Sequence, residues 1–328
     1  MDLLAIFGFL VLIYHLFYMI FPWFLNCNLQ LALMNKYGKS IETLRGKVVW
    51  IVGASSGIGE SLVYRLASVG CKLIISSNQP VELQEVKNSC LNRFKYLKED
   101  DIEVLAMDVV KMESHKPAFR HVIEKFGQID ILVNNVGKSQ QGAWENIDLE
   151  VDREMFDLNV FSIISLSRIV LRYFISRGHG HLAVTSSLDV LTSSPFSATY
   201  TASKSALHAY FESLFMEKMN SNIPITIICP GSVQTDILSQ VLIDNLDEVN
   251  NKPSSYEKNK ISPACCSRLI AVALANKLHE VWISPPLLLQ LTYMKVYYPN
   301  IYKFLMKILG ANFMKKIHDN TEVLETTC

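Results

Sequence analysis

Short apolar runs of β type alternate with helical stretches along most of this chain, and few folds accommodate that pattern. Val48 to Val52 is the first compact run, followed by a glycine-rich turn and a helical stretch to about Val69. Lys72–Ser76, Glu103–Met107, Ile129–Val133, His181–Thr185 and Ile225–Ile228 read as further strands. Helical periodicity separates them, over Val81–Tyr96, Lys116–Phe126, about 151–176 and 201–219. Strands spaced in this way need crossover connections, so the expected fold is α/β, a doubly wound parallel sheet built from βαβ units. Half of the 328 residues are hydrophobic, which is enough for a large core. The 31 Lys and Arg residues balance 31 Asp and Glu. No basic stripe accompanies that balance, so nucleic acid is not an expected partner.

The two ends of the chain depart from this pattern. From Leu3 to Leu25 only His15 is plainly polar, and at about 1.5 Å per residue such a helix spans a hydrocarbon core of about 30 Å. The segment ends on Phe21-Pro22-Trp23-Phe24-Leu25, too bulky for a signal-peptidase site, so residues 1–25 are read as an uncleaved membrane anchor. Lys36, Lys39, Arg45 and Lys47 follow it while only Asp2 and the amino terminus precede it, a bias that places the following domain in the cytosol. Residues 26–44 form a connector, 45–285 the α/β domain and 286–328 a C-terminal extension. In that extension Lys295, Pro299, Lys303 and Lys307 break the apolar run and argue against a second span. Phe304, Leu305 and Ile308 share a helical face, which suits either a helix on a membrane surface or one packed on the domain. The polar stretch 236–262 is either a cover over the site or a surface insertion.

Seven cysteines are present. They are odd in number, two are adjacent, and no C-x-x-C pair occurs, which argues against a disulfide framework and against a zinc site; buried, inert thiols are expected. The absence of an N-x-S/T sequon agrees with a domain that is not lumenal.

Two constellations carry chemistry. Gly53, Gly57 and Gly59 lie between the first strand and its helix, with Ser55, Ser56 and Ile58 between them. Glycines let a pyrophosphate approach the backbone there, and the helix N-terminus supplies N–H donors. Tyr200 and Lys204 stand four apart on a predicted helix and so share a face, and Ser187 follows the strand His181–Thr185. A free phenol has a pKa of about 10, and a neighbouring ammonium favours its ionised form. A serine hydroxyl holding the substrate oxygen would complete a site for proton transfer paired with hydride transfer.

Gly53-x-x-x-Gly57-x-Gly59, Asn134-Asn135-x-Gly137, Ser187, Tyr200-x-x-x-Lys204 and Pro230-Gly231-x-x-x-Thr235 resemble, in this order, the motifs of the short-chain dehydrogenases/reductases. The resemblance covers about residues 45 to 285 and implies a Rossmann fold and a nicotinamide cofactor. It further implies Asn159 as a fourth catalytic residue holding a water, Asn135 beside the cofactor, Asp108 near the adenine, and Val233 and Thr235 at the nicotinamide amide. The hydrophobic N-terminus, Val48-Val49-Trp50, Ser139-Gln140, Ile228-Cys229-Pro230-Gly231 and Glu280-Val-Trp-Ile-Ser284 resemble the dehydrogenase/reductase member 7 subgroup. That likeness implies an enzyme of the endoplasmic reticulum membrane, in contact with membrane lipid, acting on a lipophilic small molecule such as a steroid or retinoid. It leaves a homodimer open.

Three sites depart from the family pattern. Val52 replaces a threonine before the first glycine, and Asp189-Val190 replaces a small-glycine pair after Ser187. Ser77-Asn78 stands where related enzymes often carry arginines for the 2′-phosphate of NADP. No aspartate is there to select NAD either, so the expectation is NADP, with NAD as the alternative. A competing reading is a membrane-associated binding protein that kept the fold and lost the chemistry.

Overall fold

The computed structural model describes residues 3–235, 241–242, 249–250 and 260–319. The predicted strands appear as β1 (Val48–Val52), β2 (Lys72–Ser77), β3 (Ile102–Ala106), β4 (Ile131–Asn134), β5 (His181–Thr185) and β6 (Ile225–Pro230). Two short strands, β7 (Val241–Leu242) and β8 (Val249–Asn250), pair with each other, and β9 (Glu280–Ile283) returns to the main sheet. That sheet has seven strands in the order β3-β2-β1-β4-β5-β6-β9, and every neighbouring pair is parallel.

Helices cover both faces, which is why the central strands are apolar at every position rather than alternating. All five residues of β1 are buried. Val49 and Ile51 pack with α2 (Leu29–Tyr37), α3 (Gly57–Ala67), α4 (Pro80–Arg93) and α10 (Pro263–Asn276) through Leu31, Leu62, Leu83 and Ile270. Val48, Trp50 and Val52 face the opposite way, toward Val122 of α5 (His115–Phe126), Phe174 of α7 (Ser162–Arg177) and Phe211 of α9 (Ala198–Lys218). Trp50 spends its one polar atom on Ser76 Oγ, to which Nε1 donates at 2.9 Å. Cys27, Cys71, Cys90, Cys229 and Cys266 are buried free thiols. Loss of solvent pushes Cys71 and Cys266, for example, up to about 12, as expected of unreactive cysteines.

Two features depart from the sequence reading. The helical stretch 151–176 is α6 (Leu149–Phe156) and α7 joined by a π-helical turn over Asp157–Phe161. β9 is a seventh strand, paired through Ile227↔Glu280 and Cys229↔Trp282, where the sequence suggested only a subgroup motif. The polar stretch 236–262 lies, apart from β7, β8 and residues 260–262, outside the described residues.

The apolar ends meet. α1 (Leu3–Ile20) buries none of its residues, and Leu3–Phe24 has a mean hydropathy of 2.4, long and apolar enough to cross a membrane. Its C-terminal part leans on α11 (Pro286–Tyr297), where Tyr18 touches the rings of Tyr293 and Tyr297; His15 also bonds Tyr298. Two helices make up the described part of the C-terminal extension. α11 packs on the domain and buries Leu288, Leu289, Leu291 and Tyr293. α12 (Pro299–Asp319), broken at Gly310, buries Tyr302 but bares Ile301, Phe304 and Ile308 beside Lys303 and Lys307.

Candidate active site

The strand order reverses between β1 and β4, and in a doubly wound sheet the crevice beyond the strand ends at that point is the place for a ligand. A cleft of about 380 Å³ opens there. Its floor begins where β1 stops: Gly53 N and Ala54 N both donate to Ser76 O, at 2.8 and 3.1 Å, turning the chain sharply out of the sheet. Gly53 takes φ +83°, and a Cβ on it would lie 2.7 Å from Val136 N. A Cβ on Gly59 would lie 1.9 Å from Gly53 O, so only glycine lets α3 sit this close to the strand end. The open backbone and helix N-terminus fit the pyrophosphate of a dinucleotide.

Ser77, Asn78 and Asp108 line one end of the cleft, just past β2 and β3. Gln79, which sequence reasoning passed over, lines it as well. Its amide oxygen accepts from Ser55 Oγ at 2.7 Å and its N–H donates to Ser77 Oγ at 3.0 Å, tying the glycine turn to the end of β2. The only signal for it was its place directly after Asn78.

At the other end Ser187, Tyr200 and Lys204 meet in the cleft with Gly137, Pro230, Gly231, Val233 and Thr235. Ser187 Oγ accepts from Asp189 N at 3.2 Å, which leaves its O–H free to point at the Tyr200 phenol or a ligand. Lys204 is buried, and its Nζ donates to Thr185 O at 2.9 Å. Asn159 and Gly59 do not line the cleft. Asn159 lies in the π-helical turn, fully buried; its Oδ1 accepts from Lys138 N at 3.0 Å and its Nδ2 donates to Ser203 Oγ at 3.0 Å. A Cβ on Gly137 would reach Lys204 Nζ at 3.0 Å and Asn159 Oδ1 at 3.1 Å, so the three pack directly together.

Charge here is set by burial. Loss of solvent pushes the Tyr200 phenol up, the Asp189 carboxylate adds to that, and the bond to Ser187 opposes it. Asp189, a departure from the family pattern, is thus a buried carboxylate facing the reactive end, and its Oδ1 accepts from Ser194 Oγ at 2.6 Å. Burial also lowers Lys204 to about 8. Desolvation is the largest of the influences on the phenol.

The short chain dehydrogenase family profile matches residues 47–245. The chain belongs to this family. It is 39% identical over 259 residues to dehydrogenase/reductase SDR family member 7 of Homo sapiens, covering 78% of this chain and 75% of that protein. The structure is similar to that of a short chain dehydrogenase/reductase from Burkholderia phymatum in complex with NAD, with a TM-score of 0.67 and 21% identity over 78% of this chain and 96% of that one. It is also similar to an alcohol dehydrogenase from Thermococcus sibiricus complexed with 5-hydroxy-NADP, with a TM-score of 0.63 and 22% identity over 73% and 96% of the two chains. Family membership makes the chain a nicotinamide-dependent oxidoreductase, and the resemblance to the member 7 subgroup holds.

The lowered lysine is directly measurable. In protein carrying 13C-labelled lysine, one amine should titrate near pH 8, cationic below that and neutral above it, and its signal should vanish in Lys204→Met. A full set of lysines titrating together above pH 10 would contradict the burial argument.

Proposed function

We propose that the chain is a membrane-anchored, NADP(H)-dependent oxidoreductase that interconverts a carbonyl and an alcohol on a lipophilic small molecule of steroid or retinoid type. The observation that carries this reading is the meeting of Ser187, Tyr200 and Lys204 in the same cleft as the glycine cradle. Bound nicotinamide supplies or accepts the hydride. In the reductive direction Ser187 donates a hydrogen bond to the substrate oxygen and Tyr200 gives that oxygen its proton. Raised by burial, Tyr200 holds its proton until the oxygen gains negative charge. Lys204 offers its ammonium nearby, and Asn159, packed against Gly137, fixes the wall behind it. The residues assigned to the cofactor are Gly53, Ser55, Ser56, Gly57, Ile58, Gly59, Ser77, Asn78, Asp108, Asn135, Gly137, Pro230, Gly231, Val233 and Thr235, together with Tyr200 and Lys204.

NADP(H) is preferred in this reading because no carboxylate stands at Ser77-Asn78 to claim the ribose hydroxyls, while hydroxyl and amide donors are there for a phosphate. A lipophilic substrate is supported by Leu288, which brings α11 to the cleft wall. The same helix carries the aromatic contacts to α1, so the substrate end of the cleft lies beside the anchor. The exposed Ile301, Phe304 and Ile308 of α12, with lysines alongside, suit contact with the lipid surface. The membrane is taken to be that of the endoplasmic reticulum, with the domain on the cytosolic side.

Three outcomes are expected. Tyr200→Phe should lower turnover of a lipophilic ketone by at least about 100-fold while NADPH affinity, read by fluorescence titration, stays within about twofold; retained turnover removes Tyr200 from the chemistry. Asn78→Arg should tighten NADPH about tenfold and leave NADH unchanged, and a wild-type preference for NADH would reverse the cofactor assignment. In sealed microsomes the full chain should resist alkaline carbonate extraction while added protease digests the domain. Protection of the domain until detergent is present would instead place it in the lumen.

A further inference from the structure

Behind the catalytic helix, three side chains from separate parts of the sequence aim at one point. His208 and Glu212, one turn apart on α9, face Glu280, the first residue of β9. His208 Nε2 lies 3.5 Å from Glu212 Oε1 and 3.9 Å from Glu280 Oε2, and one donor atom from each of the three lies within 4.8 Å of the others. Ligands held tetrahedrally at about 2.0–2.2 Å from zinc stand about 3.3–3.6 Å apart, so the two carboxylates must draw in toward His208 to close on an ion.

The groups around the three hold them in place and leave their lone pairs directed inward. Trp282 Nε1 donates to Glu280 Oε1, fixing that carboxylate. His279 Nδ1 lies 3.2 Å from the Ile225 carbonyl. The His279 ring is further fixed by stacking on Phe215 at 3.5 Å. Its Nε2 then turns toward Glu212 Oε1 at 3.1 Å. On the far side of His208, Nδ1 faces Ser186 Oγ at 3.4 Å and Cys229 Sγ at 3.8 Å, leaving Nε2 for the carboxylates. Among the described residues the ion-pair partners of Glu212 and Glu280 are these histidines.

From this geometry we propose a divalent zinc site formed by His208 Nε2, Glu212 and Glu280, with His279 orienting Glu212 and the fourth position open to water. One nitrogen and two carboxylate oxygens favour zinc over magnesium or calcium, which take oxygen ligands alone. The cysteine spacing spoke against zinc, and this set uses none of the cysteines. The ion clasps α9 to the edge strand, one to two turns along the helix from Lys204, and so holds in place the helix that carries Tyr200. Its role is structural, and it takes no part in the hydride or proton steps.

The test uses the full chain purified in detergent, stripped with chelator and titrated with zinc. Metal analysis after dialysis should find about one zinc per chain, and zinc should raise the Tm by several degrees. His208→Gln should weaken binding by more than about 100-fold, and His279→Gln by about 10-fold as an orienting residue. Glu212→Gln, at a more exposed position, covers the case in which His208→Gln does not fold. Cobalt in place of zinc should give the visible absorption of a four-coordinate ion, lost in Glu280→Gln. Zinc absent after dialysis, or bound equally by the wild type and all the variants, overturns the site and leaves imidazolium–carboxylate pairs in its place.

Discussion

The side chain of Asn135 ties together the ends of three parallel strands, and the geometry of the cleft rests on that tie. Its Nδ2 donates to Gly53 O at 3.0 Å, at the turn out of β1, and its Oδ1 accepts from Thr185 Oγ1 at 3.0 Å, at the end of β5. Asn135 itself follows β4, held by its own N–H on Val52 O at 2.8 Å. Parallel strands end with unpaired carbonyls and N–H groups that a loop must satisfy, and here one amide meets the need across the switch point. Val52 has no hydroxyl to add a bond at this place, so the turn depends on Asn135 and on the two N–H groups held by Ser76 O. The same anchoring fixes Thr185, whose carbonyl accepts from Lys204. The dinucleotide cradle and the reactive end are therefore joined through two residues.

Burial then decides what the reactive end can do. Lys204 sits where a charge is expensive, and its proton is loosened to about 8; Tyr200 sits where a phenolate is expensive, and its proton is held. The two shifts act in opposite directions on neighbouring groups, the pattern that separates the roles of an acid and its partner. Asp189 strengthens the hold on the phenol proton. A small residue at that position would withdraw this carboxylate from the phenol.

Much of this was legible in the residues because the signals were local and strong. The strands of the central sheet are continuous apolar runs, and the glycine turn and the Tyr–Lys spacing each lie within a single element. What was not legible came from burial or from distant pairing. The catalytic helix α9 carries Lys204 and His208 on its buried face, so polar residues stand where an apolar stripe was expected and the pattern blurs. The π-helical turn around Asn159 inserts one residue into a helix without changing its composition. β9 is four residues long, too short for periodicity to distinguish, and its pairing with β6 is a fact of the fold. Gln79 has no chemical signature of its own and matters through its bonds to Ser55 and Ser77.

The C-terminal helices show how an extension outside the parallel sheet reaches the site. Lys295 of α11 donates to Thr192 O at 2.7 Å and to Ser193 Oγ at 3.2 Å, gripping the end of α8 (Asp189–Thr192), the short helix that follows Ser187. Ser193 has φ 61°, an uncommon backbone setting for a side-chain-bearing residue, and the lysine bonds help to hold the chain in it. Asp189 lies on the same short helix, so the helix that touches α1 also bonds the end of the helix bearing the carboxylate that acts on Tyr200. Lys295 thus holds both a main-chain oxygen and a side-chain hydroxyl at this corner. Tyr18 to Tyr293, Lys295 to Thr192 and the charge of Asp189 acting on Tyr200 thus link α1, α11, α8 and α9, each link resting on a different kind of interaction.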